Sequence, residues 1–535
     1  MRAWTRFYRC RLRRITTTLA MAMGALLFTS VPASAHVGSP DVYADGNAGP
    51  YRLFVTVRPP LVIPGVAEIE VRAVDAAGNA LATSGSISSI DMAPMPLTGA
   101  ASLHPPFADP MKQSAADKNF FTGALWIMAS GSWQVRFTVN GSQGNGVLSI
   151  PVPATSSSTR GMQTSLGILL GSLGLLLVVG VIGIVGAAAR DAQLASGAVA
   201  SASARRHARI GMGIAFVVMV AAIWFGHVWW KGEADNYARY VYKPLTMQAV
   251  LAPNQTLGLK IEDPGWVKSR KIDDFVLDHD HLMHLYLIHQ PGMDVVYHLH
   301  PEQIAAGEFQ LVLPSLPAGI YSLYADVVHA TGFPETVVAR IALPEIAGRA
   351  LAGDDAKGMA QPISSLRGAT TSCPAVADPR FALPDGYTMV WDNPATLPAK
   401  TPQRFEFSLL GTDGKPAQDM ALYMGMPGHA AFVKDDGTVF AHVHPSGTAS
   451  MTALMMAAAQ NRPQQSQPSE PNSMASMPGM SMLGASQPSS GPPSSVGFPY
   501  GFPTAGAYRI FVQMKHGQTI ETAAFDACAG SPKSN

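Results

Sequence analysis

Val296-Tyr297-His298-Leu299-His300-Pro301 and Phe440-Ala441-His442-Val443-His444-Pro445 are two writings of one pattern. Alternate residues of a strand point to one face, so each His-x-His sets two imidazoles side by side, and the proline ends the strand. Each copy has a histidine upstream, His284 or His429, and one downstream, His329 or His516. The first gap is 14 residues in one copy and 13 in the other, and Gly319 to His329 and Gly506 to His516 are both 10 residues. Ala318-Gly319-Ile320-Tyr321 also matches Ala505-Gly506-Ala507-Tyr508. The repeat says that two homologous domains keep imidazoles at matching places. Imidazole is the commonest protein ligand for a metal.

Four rings per copy are expected to meet at one edge of a β domain, as one metal cluster per copy. The competing reading is structural: imidazoles bonding loops through both ring nitrogens. Copy one adds Asp278-His279-Asp280-His281, whose carboxylates favour Cu(II) or Zn(II). Copy two has Met420, Met424 and Met426 instead, soft thioethers that select Cu(I).

The offsets also measure an insertion. His298 to His442 is 144 residues but His329 to His516 is 187, so copy two has gained 43. They fall in 446–503, a stretch rich in Ser, Pro, Gln and Met that is expected to be disordered. Met474, Met477, Met480 and Met482 lie within it. Exposed thioethers gain nothing by packing there and can wrap Cu(I).

A chain of 535 residues implies several domains. Charged residues are 14% and the formal net charge is +1, so no basic field exists to bind nucleic acid. Residues 1–35 read as a signal peptide, with an Arg-rich start, an apolar run and Val31-Pro32-Ala33-Ser34-Ala35 as the cleavage signal. Cleavage would make His36 the N-terminus, where amine and ring nitrogen together suit copper. Cys10 would leave with the signal. Cys373 and Cys528 then remain, bracketing the second repeat, and an exported chain favours a disulfide between them.

Residues 166–189 and 210–230 are uncharged and long enough to span a bilayer. The loop 190–209 carries Arg190, Arg205, Arg206 and Arg209, a positive-inside signal that puts both large flanks outside a bacterial inner membrane. Glycines of the first span suit close helix packing. The flanks show period-two segments broken by Gly, Pro and Asn. The expected fold is all-β: three immunoglobulin-like or cupredoxin-like β-sandwich domains, 36–155, 244–346 and 373–528, with a linker at 347–372 and a two-helix transmembrane hairpin. The first of these domains carries Met92, Met95, His104 and Met111, which read as a simple loop of apolar residues or, with His36, as a third site.

The methionine stretch resembles the Met-x-x-Met and Met-x-Met motifs of periplasmic copper-resistance proteins at Met474, Met477, Met480 and Met482. The N-terminal region loosely resembles small exported YtkA-like and CopC-like β-sandwich proteins. The doubled domain is similar to uncharacterised exported bacterial proteins whose strands end in His-x-His-Pro. The resemblance implies copper handling by sequestration, delivery or resistance. The expected ion is copper, as Cu(I) or Cu(II), or zinc. Expected partners are membrane lipid and a membrane-embedded copper transporter or oxidase complex. Two other readings stand beside it: a scaffold or sensor subunit of a membrane complex, and a copper-dependent oxidase or oxygenase. Hydrolysis has no support, for there is no nucleophile elbow and no His-Glu-x-x-His.

Overall fold

The structure is a computed structural model that describes residues 41–531 except 77, 82–86, 105, 196, 267–269, 364–377, 395–396 and 462–491. The signal peptide, His36, Cys373 and all four methionines of the copper-resistance motif lie outside these residues.

The chain is largely β, with six sheets and two long apolar helices. In the N-terminal region, alternation makes the strands. Gly65–Val74 turns Ala67, Ile69, Val71 and Ala73 inward and Glu68 and Arg72 outward. Two sheets there share one apolar core that includes Val55, Phe121 and Phe137. Of the two readings of its methionines the apolar one fits: Met92 and Met111 pack in this core, and Met95 is buried. His104 is exposed at the end of a short 3-10 turn.

Both repeats place a strand order in common. In the first, Pro334–Leu343, Gly319–Val328, His284–Gln290 and Val295–Leu299 lie side by side. In the second, Thr519–Gly530, Gly506–His516, His429–Lys434 and Phe440–Val443 do the same. Each of these sheets shares an inner core with a four-stranded sheet of its own repeat.

Their outer faces pack on each other, which explains why alternation fails there. His284–Gln290 is buried on both sides: Leu285 and Leu287 enter the repeat's own core, while Tyr286 and Ile288 enter the layer between repeats. Val433, Phe440 and Phe511 meet them from the second repeat, with Phe440 stacked on Tyr324 at 4.3 Å. At one end, buried Arg509 donates to the carbonyls of Met293 and Gln361 at 2.8 and 2.9 Å while paired with Asp526.

Two expected loops hold structure. Ala356–Met359, inside the expected linker, is a strand on the edge of the first repeat, paired with Val295–Leu299. Within the 446–503 insertion, the short helix that the run Ala449 to Ala459 allows is present as Met451–Ala459, capped by Ser450, while Ser495–Tyr500, expected to be disordered, is a strand beside Gln403–Leu410. Their apolar residues decide this. Ala453 and Ala457 pack on Leu97 of the N-terminal region, and Phe498 and Tyr500 join the second repeat's core.

Thr164–Asp191 and Ala202–Ala238 are the two long helices, each extending past the expected span. Within 166–189 and 210–230 their side chains are apolar around the whole circumference and almost all face outward, the pattern of a helix solvated by lipid. Of the first helix's glycines, Gly186 alone makes a close helix contact, where an added Cβ would meet Met212 at 2.7 Å. At the other end the second helix is tied to the β region, Tyr237 donating to the Ile63 carbonyl at 3.0 Å.

Of the two cysteines expected to pair, Cys528 alone lies among the described residues, where it is disulfide-bonded, and Cys373 lies outside them. The second repeat is also held by its aromatic core around Trp391, Phe405 and Phe407.

Candidate metal centre between the repeats

The histidine clusters of the two copies do not stand apart. The facing sheets bring them into one buried chamber. His284 and His298 are neighbours because Tyr286 pairs with His298 across the hairpin, and His284 lies two residues earlier on the same face. His300 follows on that face, its ring centroid 4.8 Å from that of His298. His429 and His442 come together in the same way through the Ala431–His442 pair. The His442 centroid is then 5.5 Å from those of His284, His298 and His429, and 4.6 Å from that of His444.

His279 and His281 enter from the loop before His284. His279 adopts φ 49°, a left-handed backbone, and its ring crosses to the second repeat, 5.1 Å from His429 and 5.0 Å from His444. His281 stacks on His300 at 3.8 Å and is the partly exposed member. Two trios result whose ligand atoms lie within 4.8 Å of one another: His284, His298 and His300, and His279, His429 and His444.

Hydrogen bonds fix which nitrogen each ring offers. His284 Nε2 donates to the Asp278 carbonyl at 3.0 Å, leaving a lone pair on Nδ1. His298 Nδ1 donates to Gln513 Oε1 at 2.9 Å, leaving a lone pair on Nε2. Gln513 is oriented for this by donating its own amide to Thr522 Oγ1 at 3.2 Å. The two lone pairs therefore face each other, His284 Nδ1 to His298 Nε2, across 3.1 Å. Two acceptors at that distance repel unless a cation lies between them. His300 turns Nδ1 to Asp355, itself held by Arg349, and His444 turns Nδ1 to the Ala449 carbonyl, both at 3.3 Å.

The support crosses between repeats. Asp326 of the first lies 3.3 Å from His442 Nδ1 of the second, while Gln513 of the second holds His298 of the first. Asp326 and Gln513 occupy equivalent strand positions, paired with His284 and His429 respectively. Tyr286 stacks on His298 at 4.2 Å, and Tyr423 donates to the Asp354 carbonyl with its oxygen 3.2 Å from His298 Nδ1.

Burial, then the neighbouring imidazoles, push the pKa values of His284, His298, His429 and His444 far below the ordinary range. The same causes bring His442 down to about 3, and burial lowers His300 against the pull of Asp355. These rings are neutral acceptors, the state in which imidazole binds metal. Nε2 of His279, His300, His442 and His444 and both nitrogens of His429 are buried with no hydrogen-bond partner among the described residues. A buried unpaired nitrogen costs about 1–3 kcal/mol.

The last histidine of each copy is elsewhere, contrary to expectation. His284 pairs with Asp326 and His429 with Gln513, and His329 and His516 each lie three residues further on. An odd offset turns a side chain to the opposite face. His329 sits between Asp274 and Glu335, at 2.7 and 3.2 Å. Burial alone would lower its pKa, but the two carboxylates outweigh that and raise it. His516 stacks on Tyr387 at 3.9 Å, beside Asp419 at 3.1 Å and Asp385 at 2.8 Å, with Glu521 at 4.0 Å. Of the expected harder and softer donors, Asp278 accepts from the Thr452 amide and lies near enough to His442 and His444 to act on both electrostatically, while Met424 packs with Ala356 and Tyr423.

Fold and site together define a largely β protein with two apolar helices long enough to anchor it in a membrane and a polyhistidine chamber capable of holding metal. Residues 382–530, most of the second repeat, match a family described as a domain of unknown function (DUF8832). No curated protein matches the chain. Among solved structures, dimeric latent PorU from Porphyromonas gingivalis aligns at 8% identity and TM-score 0.15, over 92% of this chain and 34% of that one. A membrane-anchored protein from Corynebacterium diphtheriae aligns at 9% identity and TM-score 0.13, over 92% and 96%. Alpha-2-macroglobulin of Escherichia coli aligns at 7% identity and TM-score 0.13, over 90% and 33%. The chain spans about a third of the PorU chain, and TM-scores this low assign no common fold.

Proposed function

We propose that this is a membrane-anchored, exported protein that binds copper in the chamber between its repeats, for sequestration, delivery or resistance. In this reading the paired sheets form β-sandwiches on the outer face of a bacterial inner membrane. The facing lone pairs of His284 and His298 carry the proposal. A proton could separate them only by forming a deeply buried imidazolium, which desolvation opposes. A metal ion resolves the repulsion and uses the unpaired nitrogens around it.

The donor set favours copper. It is all imidazole, and for nitrogen sites Cu(II) is the tightest first-row divalent ion, zinc being the competitor. The methionines 474, 477, 480 and 482, which follow the His444 loop in sequence, would supply Cu(I) ligands of the kind copper-resistance proteins carry. The test is elemental analysis of the full chain in detergent after loading and desalting. The wild type is expected to retain copper over zinc. The His284→Ala/His298→Ala/His429→Ala/His444→Ala variant should lose it. Equal metal in both proteins would exclude the chamber.

A further inference from the structure

Resting on that reading, we propose that the chamber is a two-ion centre in which His442 hands an ion from one histidine trio to the other. The first trio offers His284 Nδ1, His298 Nε2 and His300 Nε2, and the second offers His279 Nε2, His444 Nε2 and a nitrogen of His429. Each trio is a complete three-imidazole set, and its ligand atoms converge within 4.8 Å. Three protein nitrogens suffice for copper or zinc. One ion would satisfy one trio and leave the other trio's buried nitrogens unpaired, whereas two ions satisfy both.

His442 belongs to neither trio and stands between them. Its centroid is 5.5 Å from those of His284 and His298 on one side, and 5.5 Å and 4.6 Å from those of His429 and His444 on the other. Its Nε2 is buried with no hydrogen-bond partner among the described residues, and Asp326 lies beside its Nδ1. The trios differ in access. The second is buried throughout, while His300 of the first is less so and stacks on the partly exposed His281. An ion therefore enters along the His281–His300 edge. Transfer inward is ligand exchange with no change of oxidation state: a bond from the metal to His442 Nε2 forms as one to the first trio breaks, and a bond to the second trio then replaces it.

Cu(II), which thioethers bind poorly, is the probe for the full chain in detergent, counted by elemental analysis. His284→Ala/His300→Ala and His279→Ala/His444→Ala are each expected to hold one ion fewer than wild type. Combining all four substitutions should remove two, so counting differences cancels any site elsewhere. One ion lost in all three variants would overturn the two-ion centre and leave a single metal site. No loss in any of them would overturn the metal reading itself. Where an alanine variant lacks a cooperative unfolding transition, the matching His→Gln pair replaces it. His442→Phe is expected to keep both ions but load the second at least tenfold more slowly in stopped flow. Unchanged loading would overturn the hand-over.

Discussion

His284 and His298 show how much a single hydrogen-bond assignment can decide. Their 3.1 Å approach would be an ordinary hydrogen bond if the other nitrogen of either ring were not already donating to an oxygen. Gln513 makes that commitment for His298, and Gln513→Ala removes the acceptor while leaving every imidazole in place. Loss of such an orienting partner typically costs 10–100-fold in metal affinity. A drop of that size is expected by competition titration, with unchanged ion count at saturation.

His442 has its folded pKa lowered from 6.5 to about 3, so between those values the unfolded chain binds more protons. Stability is therefore fully present above pH 6.5 and lost as pH falls towards 3, at up to about 1.4 kcal/mol per pH unit for each such group. His284, His298, His429 and His444 shift the same way, so metal-free protein should lose stability steeply in acid. His329 has the opposite sign. Its raised pKa gives stability that is full below 6.5 and is lost as pH rises through the folded value. Denaturant unfolding from pH 5 to 9 of wild type and His329→Gln separates the two effects, since the variant should lack only the alkaline decline.

At the scale of elements, parity explains what the sequence reading could and could not see. Strand pairs, the hairpin at Pro291-Gly292 and the His-x-His geometry follow from period-two patterning and proline position, and the structure has them. The displacement of His329 and His516 needed register, because only the His284–Asp326 and His429–Gln513 pairings reveal an odd offset. The union of the two clusters was less legible still. His284-Leu285-Tyr286-Leu287-Ile288 is apolar on both faces, a sign that its outer face is also covered, but nothing local says that the other repeat covers it. Phe440 tests that layer. It is fully buried between the repeats, so Phe440→Ala should cost about 3–5 kcal/mol and loosen the chamber, weakening metal binding although no ligand is touched.

Gly447 tests the contact with the N-terminal region. It closes the turn after His444 at φ +125°, and a Cβ there would stand 1.9 Å from the Tyr43 carbonyl oxygen. Gly447→Ala should destabilise by about 1–3 kcal/mol and shift His444, read as a lower thermal midpoint and weaker metal retention.

At the scale of the whole molecule, metal binding and the joining of two repeats are one event, because each trio depends on groups from the other side. His279 reaches into the second repeat, and Gln513 reaches back to the first. Metal at 100 times its dissociation constant should then add about 2.7 kcal/mol to unfolding stability for each ion bound, an increment absent from the fourfold alanine variant. The apolar helices were legible from length and composition, since nothing but lipid solvates such surfaces well. The chamber they hold at a membrane was not, because it is made by tertiary packing of faces that composition cannot pair.

X-ray absorption at the copper edge of the loaded full-length protein reads the ligands directly. The account predicts imidazole nitrogens at about 2.0 Å with their outer-ring scattering, all lost together in the fourfold alanine variant. Sulfur scatterers at about 2.3 Å without imidazole, or an imidazole signal that survives in that variant, would contradict it.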